Sequence, residues 1–198
     1  MKVYGDRRSG NCYKIQLICA LLDIKYQWID VDILKGETST SNFLAKNPNG
    51  KIPLLELDDG RVIIESNAIV NYLAHGSALL PAEQFSLAMV QQWQFFEQYS
   101  HEPNIAVARF IEKYLGLPKS RQVEYQSKHE AGYKALSVME QQLAKSKFIA
   151  GNTITTADIS LYAYTHVADE GGFDLTPFPN ISRWLSSIAA QSKYCPMI

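Results

Sequence analysis

Cysteine is scarce in this chain. Three residues (Cys12, Cys19, Cys195) in 198 are too few and too unevenly placed for a disulfide framework. No Cys/His cluster has zinc-ligand spacing, so no metal is expected. No apolar run approaches the length of a membrane span. The start, Met1-Lys2-Val3-Tyr4-Gly5-Asp6-Arg7-Arg8, lacks the apolar stretch of a secretory signal. Neither sign of charge dominates: 19 Lys and Arg stand against 20 Asp and Glu, a net of −1. Without a basic field, binding of nucleic acid or of an anionic membrane is not expected as a main role. Internal repeats and low-complexity segments are also missing. These absences point to a soluble, reduced, cytoplasmic protein. What is present is ordinary for a globular chain: 46% hydrophobic and 20% charged residues, long enough for one large domain or two small ones.

Strand and helix signals alternate over the first 75 residues. Lys2–Gly5 reads as a strand and Cys12–Leu22 as a helix with Ile15, Ile18, Cys19 and Leu22 on its apolar face. Tyr26–Asp30 alternates like a strand, and Phe43–Lys46 forms a helical turn stopped by Asn47-Pro48-Asn49-Gly50. Ile52–Leu57 and Val62–Ile64 flank Asp58-Asp59-Gly60, a hairpin signal. Ser66–Ala74 reads as a helix with Ala68, Ile69, Tyr72 and Leu73 inward. The order β-α-β-α-β-β-α requires a mixed four-stranded sheet with helices on its faces. Residues 1–76 therefore form an α/β domain, 77–83 a linker, and 84–198 an all-α bundle. In the bundle, helices are predicted over Gln84–Tyr114 (interrupted near Pro103), Ser120–Lys145, Thr156–Ala168 and Ile181–Ala190. Val123, Leu136, Met139 and Leu143 are candidate core residues of the second.

Three segments of the α/β half could carry chemistry. Ser9-Gly10-Asn11-Cys12 opens the first helix, where unpaired N–H groups and the macrodipole favour an anion. Taken alone, Ser9 reads more readily as a plain N-cap, a position Ser prefers in any case. Pro53 opens a strand. A cis Ile52–Pro53 bond would turn the Ile52 backbone outward to bind another peptide, whereas a trans bond would simply start an edge strand. Glu65 and Ser66 end a strand and begin a helix, a place suited to an ammonium and a carboxylate, or to an ordinary cap with a solvated Glu. Together they suit a thiol, a peptide backbone and an α-amino-acid end, which is the description of glutathione.

Phe43-Leu44-Ala45-Lys46-Asn47-Pro48-Asn49-Gly50-Lys51-Ile52-Pro53-Leu54-Leu55-Glu56 followed by Glu65-Ser66-Asn67-Ala68-Ile69-Val70-Asn71-Tyr72-Leu73 resembles the thioredoxin-like N-terminal domain of cytosolic glutathione transferases. Ile154-Thr155-Thr156-Ala157-Asp158-Ile159 resembles the capping-box segment of the family's helical domain, with Thr155 as N-cap, Asp158 at N3, and Ile154 and Ile159 as a hydrophobic staple. The resemblance runs over essentially the whole chain and implies the glutathione transferase fold. It implies that Pro53 is cis, that Ile52 pairs with the cysteinyl backbone of glutathione, that Glu65 and Ser66 hold its γ-glutamyl end, and that Lys51 meets a carboxylate. Tyr4 stands one residue early for the tyrosine classes and is expected in the core. Ser9 and Asn11 fit the sulfur-facing residues of the bacterial serine-type or nu-like classes. A free thiol of pKa about 8.5 is only a few per cent ionised at pH 7. Lowering it by two units takes about 2.7 kcal/mol, within reach of two donors and a helix N-terminus.

Ser9-Gly10-Asn11-Cys12 also has thioredoxin C-x-x-C spacing with Ser in place of the first Cys, which argues against a dithiol mechanism and makes Cys12 a buried, inert thiol. His101, Asn104 and Arg109 are expected to wall an electrophile site. Trp93, Phe95 and Phe96 lie on several faces of one helix, in keeping with the homodimer that the resemblance implies. Three readings stand: a detoxifying transferase using glutathione as co-substrate to conjugate small hydrophobic electrophiles, a glutathione-dependent disulfide or peroxide reductase, and a non-catalytic binding module.

Overall fold

The computed structural model describes residues 1–197, in two compact units: Met1–Ser77 with Gln191–Ile198, and Ala78–Ala190. The first unit is built on strands β1 (Lys2–Gly5), β2 (Gln27–Asp30), β3 (Leu54–Glu56) and β4 (Val62–Ile64), in the order β2-β1-β3-β4. β1 is parallel to β2 and antiparallel to β3, and β3 is antiparallel to β4, so the sheet is the mixed one the sequence requires. The helices of this unit are α1 (Gly10–Leu22), a short α2 (Ser41–Leu44) and α3 (Ser66–Ala74).

α1 is not amphipathic. Every residue from Cys12 to Cys19 is buried, Lys14 and Gln16 included, while the expected core residue Leu22 is half-buried. It packs against α3 as well as forming the parallel crossover between β1 and β2. The inward face of α3 is turned by one residue from expectation. Ser66, Ile69, Val70 and Ala74 are buried, whereas Ala68 and Tyr72 are exposed. Spacings of three, four and eight residues put the buried set on one stripe. Close approach of α1 to the sheet depends on Gly5, where a Cβ would lie 2.7 Å from the Cys12 Sγ.

The second unit is helical: α4 (Gln84–Phe96), α5 (Glu102–Arg109), α6 (Gln122–Leu143), α7 (Thr156–Thr165) and α8 (Pro179–Ala189). Pro103 does not break the chain into a loop. It sits in the first turn of α5, and the missing N–H is absorbed by a π-helical turn over Glu97–His101 that joins α4 to α5. On α6, Leu136, Met139 and Leu143 are core as expected. Val123 is 81% exposed, because it stands in the first turn, well before the packed stretch that begins at Gly132. α7 is buried along its whole length and ends at Thr165. Its capping box is anchored by Asp158, whose carboxylate accepts from Thr155 N (2.8 Å), Thr155 Oγ1 (3.0 Å), Ile149 N (2.7 Å) and Trp184 Nε1 (2.9 Å). Among the described residues no helix is long and apolar enough to cross a membrane.

Candidate functional site

Strand register assembles the candidate site. Tyr4 of β1 pairs with Leu54 of β3, and Leu54 with Ile64 of β4. One step beyond that row come Gly5, Pro53 and Glu65. The β1–α1 loop, the start of β3 and the start of α3 therefore share one end of the sheet.

At the first of these, Ser9 is the N-cap of α1, with extended backbone (φ −78°, ψ 125°), and its Oγ accepts from Cys12 N at 3.4 Å. Accepting with a lone pair leaves its O–H proton available to donate. The loop leading into Ser9 is tied by Asp6, whose backbone carbonyl takes Ser9 N (3.0 Å) and whose carboxylate takes Arg8 N and a two-pronged bond from the Arg8 guanidinium. Cys12 is buried beneath this turn, and burial pushes its thiol up to about 12. It is an inert small hydrophobe, as its inward position in the helix suggests.

At the second, the Ile52–Pro53 peptide is cis. The loop before it is shaped by buried Asn47, which donates from Nδ2 to Lys51 O (2.7 Å) and accepts from Asn49 N (3.0 Å). Gly50 there has φ +62°, a conformation open to glycine. Lys51 is exposed and Ile52 half-buried.

At the third, Glu65 holds φ +69°, ψ 114° immediately before α3. A non-glycine residue at positive φ stores strain and persists where the surroundings demand it. The Glu65 side chain is exposed, while Ser66 beside it is buried. The Ser66 Oγ donates to Asn11 Oδ1 at 3.2 Å, so the α3 and α1 openings are in direct contact.

Two expectations about the β1–α1 region and the helical unit need correction. Tyr4 is not core: it is half-buried, and its hydroxyl donates to Glu56 Oε2 at 2.8 Å. Partial burial and the neighbouring Glu56 carboxylate raise its pKa, so the phenol keeps its proton. Its contact with Glu56, which also takes Lys46 Nζ at 2.6 Å, is a pairing across strands. In the helical unit, His101 has no exposed surface. Its Nε2 lies 2.9 Å from Thr165 Oγ1, and Thr165 spends its own proton on Leu161 O (2.7 Å), so His101 is the donor. Arg109 is 5% exposed and donates from Nε to Glu170 Oε2 at 2.7 Å, with its guanidinium over the Tyr114 ring. Both are interior packing groups and cannot wall a substrate. Asn104, half-buried, donates to Ser100 O at 2.7 Å and bridges the π turn.

Sequence reasoning missed Lys14. It has no exposed surface, and its Nζ donates to Ser66 Oγ (3.1 Å) and Asn67 Oδ1 (3.2 Å). A lysine in a helix reads as a solvated position. The available signal was its setting in Cys12–Cys19, where apolar residues occupy all sides of the helix. Among the described residues no cluster of three or more His, Cys, Asp or Glu is placed to hold a metal ion.

Comparison with known proteins bears on the whole chain. Residues 1–75 match the family model "Glutathione S-transferase, N-terminal domain", and residues 93–192 match "Glutathione S-transferase, C-terminal domain". Glutathione S-transferase 3 of Zea mays is 31% identical over 206 residues, covering 98% of this chain and 91% of that protein. A crystal structure of a glutathione S-transferase from Pseudomonas fluorescens is 59% identical, with a TM-score of 0.98 over 100% of this chain and 98% of that one. A maleylacetoacetate isomerase from Methylobacterium extorquens, solved with malonate and GSH bound, is 26% identical, with a TM-score of 0.81 over 96% of this chain and 92% of that one. Sheet order, cis proline, the polar openings of α1 and α3, and matches to both family models lead to one assignment: the chain belongs to the glutathione S-transferase family.

Proposed function

We propose that this protein binds glutathione across the end of its sheet and holds the sulfur as a thiolate at the start of α1, for attack on small hydrophobic electrophiles. One observation carries the reading. The hydrogen bond from Ser66 Oγ to Asn11 Oδ1 joins the opening of α3, suited to a carboxylate, to the opening of α1, suited to a thiolate. Glu65 and Ser66 take the γ-glutamyl end, the Ile52 backbone beside cis Pro53 takes the cysteinyl segment, and exposed Lys51 takes a carboxylate. Ser9 donates its hydroxyl proton to the sulfur and Asn11 adds an amide donor. Neither is a nucleophile: the sulfur forms the new bond to carbon, and the displaced electron pair departs with the leaving group or, in an addition, moves onto the electron-withdrawing group and takes up a proton.

The test is conjugation of glutathione to an aryl halide. Ser9→Ala is expected to lower kcat/KM by about tenfold to a hundredfold and to raise the pKa of the bound thiol by about one to two units, read from thiolate absorbance. An unchanged rate and pKa would remove Ser9 from this role. A second reading, isomerisation assisted by glutathione addition, is favoured by the likeness to the maleylacetoacetate isomerase of Methylobacterium extorquens. Turnover of maleylacetoacetate without turnover of the aryl halide would put it first. Disulfide reduction through Cys12 is disfavoured by a thiol pushed by burial up to about 12, so any reductase activity would run on a second glutathione. In this reading the protein acts in the cytoplasm as a homodimer.

A further inference from the structure

The loop between β1 and α1 is held in shape by one of its own residues. Asp6 is 7% exposed, and a carboxylate so placed is costly unless donors answer it. Arg8 supplies three. Its backbone N donates to Asp6 Oδ1 at 2.9 Å, closing a side-chain turn over the next two residues. Its guanidinium forks onto the same carboxylate, Nε to Oδ1 at 3.1 Å and Nη2 to Oδ2 at 2.8 Å. The Asp6 backbone carbonyl meanwhile accepts from Ser9 N at 3.0 Å. Ser9 then opens α1, its own carbonyl accepting from Tyr13 N at 2.8 Å. The side chain and main chain of one residue thus hold both Arg8 and Ser9. The seating of α1 does not depend on these contacts: its buried run Cys12–Cys19 and its packing against α3 provide that, and Arg8 is exposed. What the loop contacts fix is where Ser9 stands.

We propose that Asp6 is a positioning residue for the thiolate site: through the Arg8 turn and the Ser9 amide it holds the Ser9 hydroxyl at the glutathione sulfur. The inference rests on the functional reading above and assigns to it a residue that reading leaves out. Asp6 acts through Ser9 and does not touch the sulfur. Charge and geometry pull in opposite directions here, which makes the role separable. A carboxylate near a thiolate repels it, so loss of the Asp6 charge alone would make the bound thiol more acidic. Loss of the turn takes a donor away from the sulfur and makes the thiol less acidic.

The experiment compares glutathione with γ-glutamyl-α-aminobutyryl-glycine, which carries a methyl group in place of the thiol. The pKa of the bound thiol is read from thiolate absorbance, kcat/KM against pH from aryl halide conjugation, and affinity for both peptides from calorimetry. Asp6→Ala is expected to raise the bound thiol by about one pKa unit and to lower kcat/KM on the order of tenfold below the wild-type thiol pKa. Above the raised pKa the two rates should converge to within about threefold. Affinity for the sulfur-free peptide should stay within about twofold of wild type. Asp6→Asn keeps an oxygen to accept from Arg8 N and should bring the thiol back to within about half a unit of wild type. A bound thiol that is unchanged or more acidic in Asp6→Ala would overturn the inference. Equal weakening of both peptides, or loss of fold judged by circular dichroism, would do the same, because Asp6 would then be a general structural group. An Asp6→Asn variant that tracks Asp6→Ala would also overturn it, since the turn would not be what matters. Failure of wild type to bind either peptide would show in the control arm and would count against the functional reading itself.

Discussion

Gly5 shows how one missing methyl positions the start of α1. A Cβ there would meet Cys12 Sγ at 2.7 Å and the Trp28 ring at 3.0 Å. Both neighbours are anchored, Cys12 in a buried helix and Trp28 through Nε1 to Asp30 Oδ1 at 2.7 Å. Gly5→Ala should therefore cost about 1–3 kcal/mol in urea unfolding and lower conjugation, because α1 must shift with Ser9 at its tip. Gly5→Ala combined with Cys12→Ala should recover part of both losses, because it removes the Sγ contact and leaves that with Trp28. Recovery of neither would show that the strain lies elsewhere. A second residue-scale prediction concerns pH. Burial lowers the pKa of His166, whose Nδ1 lies 2.8 Å from Tyr162 O and whose ring stacks on Tyr162 at 4.6 Å. The unfolded chain then binds the proton more readily than the folded one. Stability from this group is present above the ordinary histidine pKa of about 6.5 and is lost as pH falls through the depressed folded value. Urea midpoints should drop from pH 7.5 to pH 5.5, and His166→Gln should flatten that drop. At this scale the sequence was partly legible. Ser9 announces itself because Ser before a helix caps it in any context. Lys14 and His101 did not, because burial of a polar residue is decided by distant partners (Ser66 and Thr165) that local spacing does not encode.

Among the elements, α7 depends most on one side chain. The Asp158 carboxylate ties together the residue that caps α7, the Phe148–Gly151 turn through Ile149, and α8 through Trp184. Four donors converge on two oxygens with no exposed surface. Asp158→Ala leaves Ile149 N, Thr155 N and Trp184 Nε1 without that acceptor and should destabilise the helical unit by about 3–5 kcal/mol. Thr155→Ala removes one capping hydroxyl and should cost about 1–2 kcal/mol. Thermal unfolding checks both, and similar losses in the two variants would contradict this ranking. The capping box was readable in advance because its parts lie within five residues of one another. Trp184 as its third partner was not, since 26 residues separate it from Asp158. The face of α3 shows the same limit. Ala68 and Tyr72 fit an apolar stripe as well as Ser66 and Val70 do, and packing against α1 decides between them. Pro103 promised a break, yet a π turn keeps the helical path continuous. Proline specifies that a hydrogen bond is lost, while the surrounding helix determines how the loss is absorbed.

The chain taken as a whole has apolar surface that the helical unit alone does not cover. Phe95 is 71% and Tyr99 90% exposed, four residues apart at the end of α4 and in the π turn after it, whereas Trp93, just before Phe95 on α4, is buried at 6%. Two large exposed aromatic side chains about one helical turn apart are costly to leave in water and are typical of an interface core. The proposed homodimer places that face against its own copy, since a two-fold contact pairs one patch with itself. Such a pairing need not be strong per residue: a pair of self-facing aromatics contributes about 0.5–1.5 kcal/mol beyond the area it buries. Sedimentation equilibrium should give twice the chain mass for wild type. Phe95→Glu with Tyr99→Glu should give the mass of one chain, because four carboxylates brought to one two-fold contact repel and lose their hydration. Retained circular dichroism in that variant would separate a lost interface from a lost fold. A wild type that sediments as a single chain, or a double variant that stays at twice the mass, would count against this face as the dimer contact.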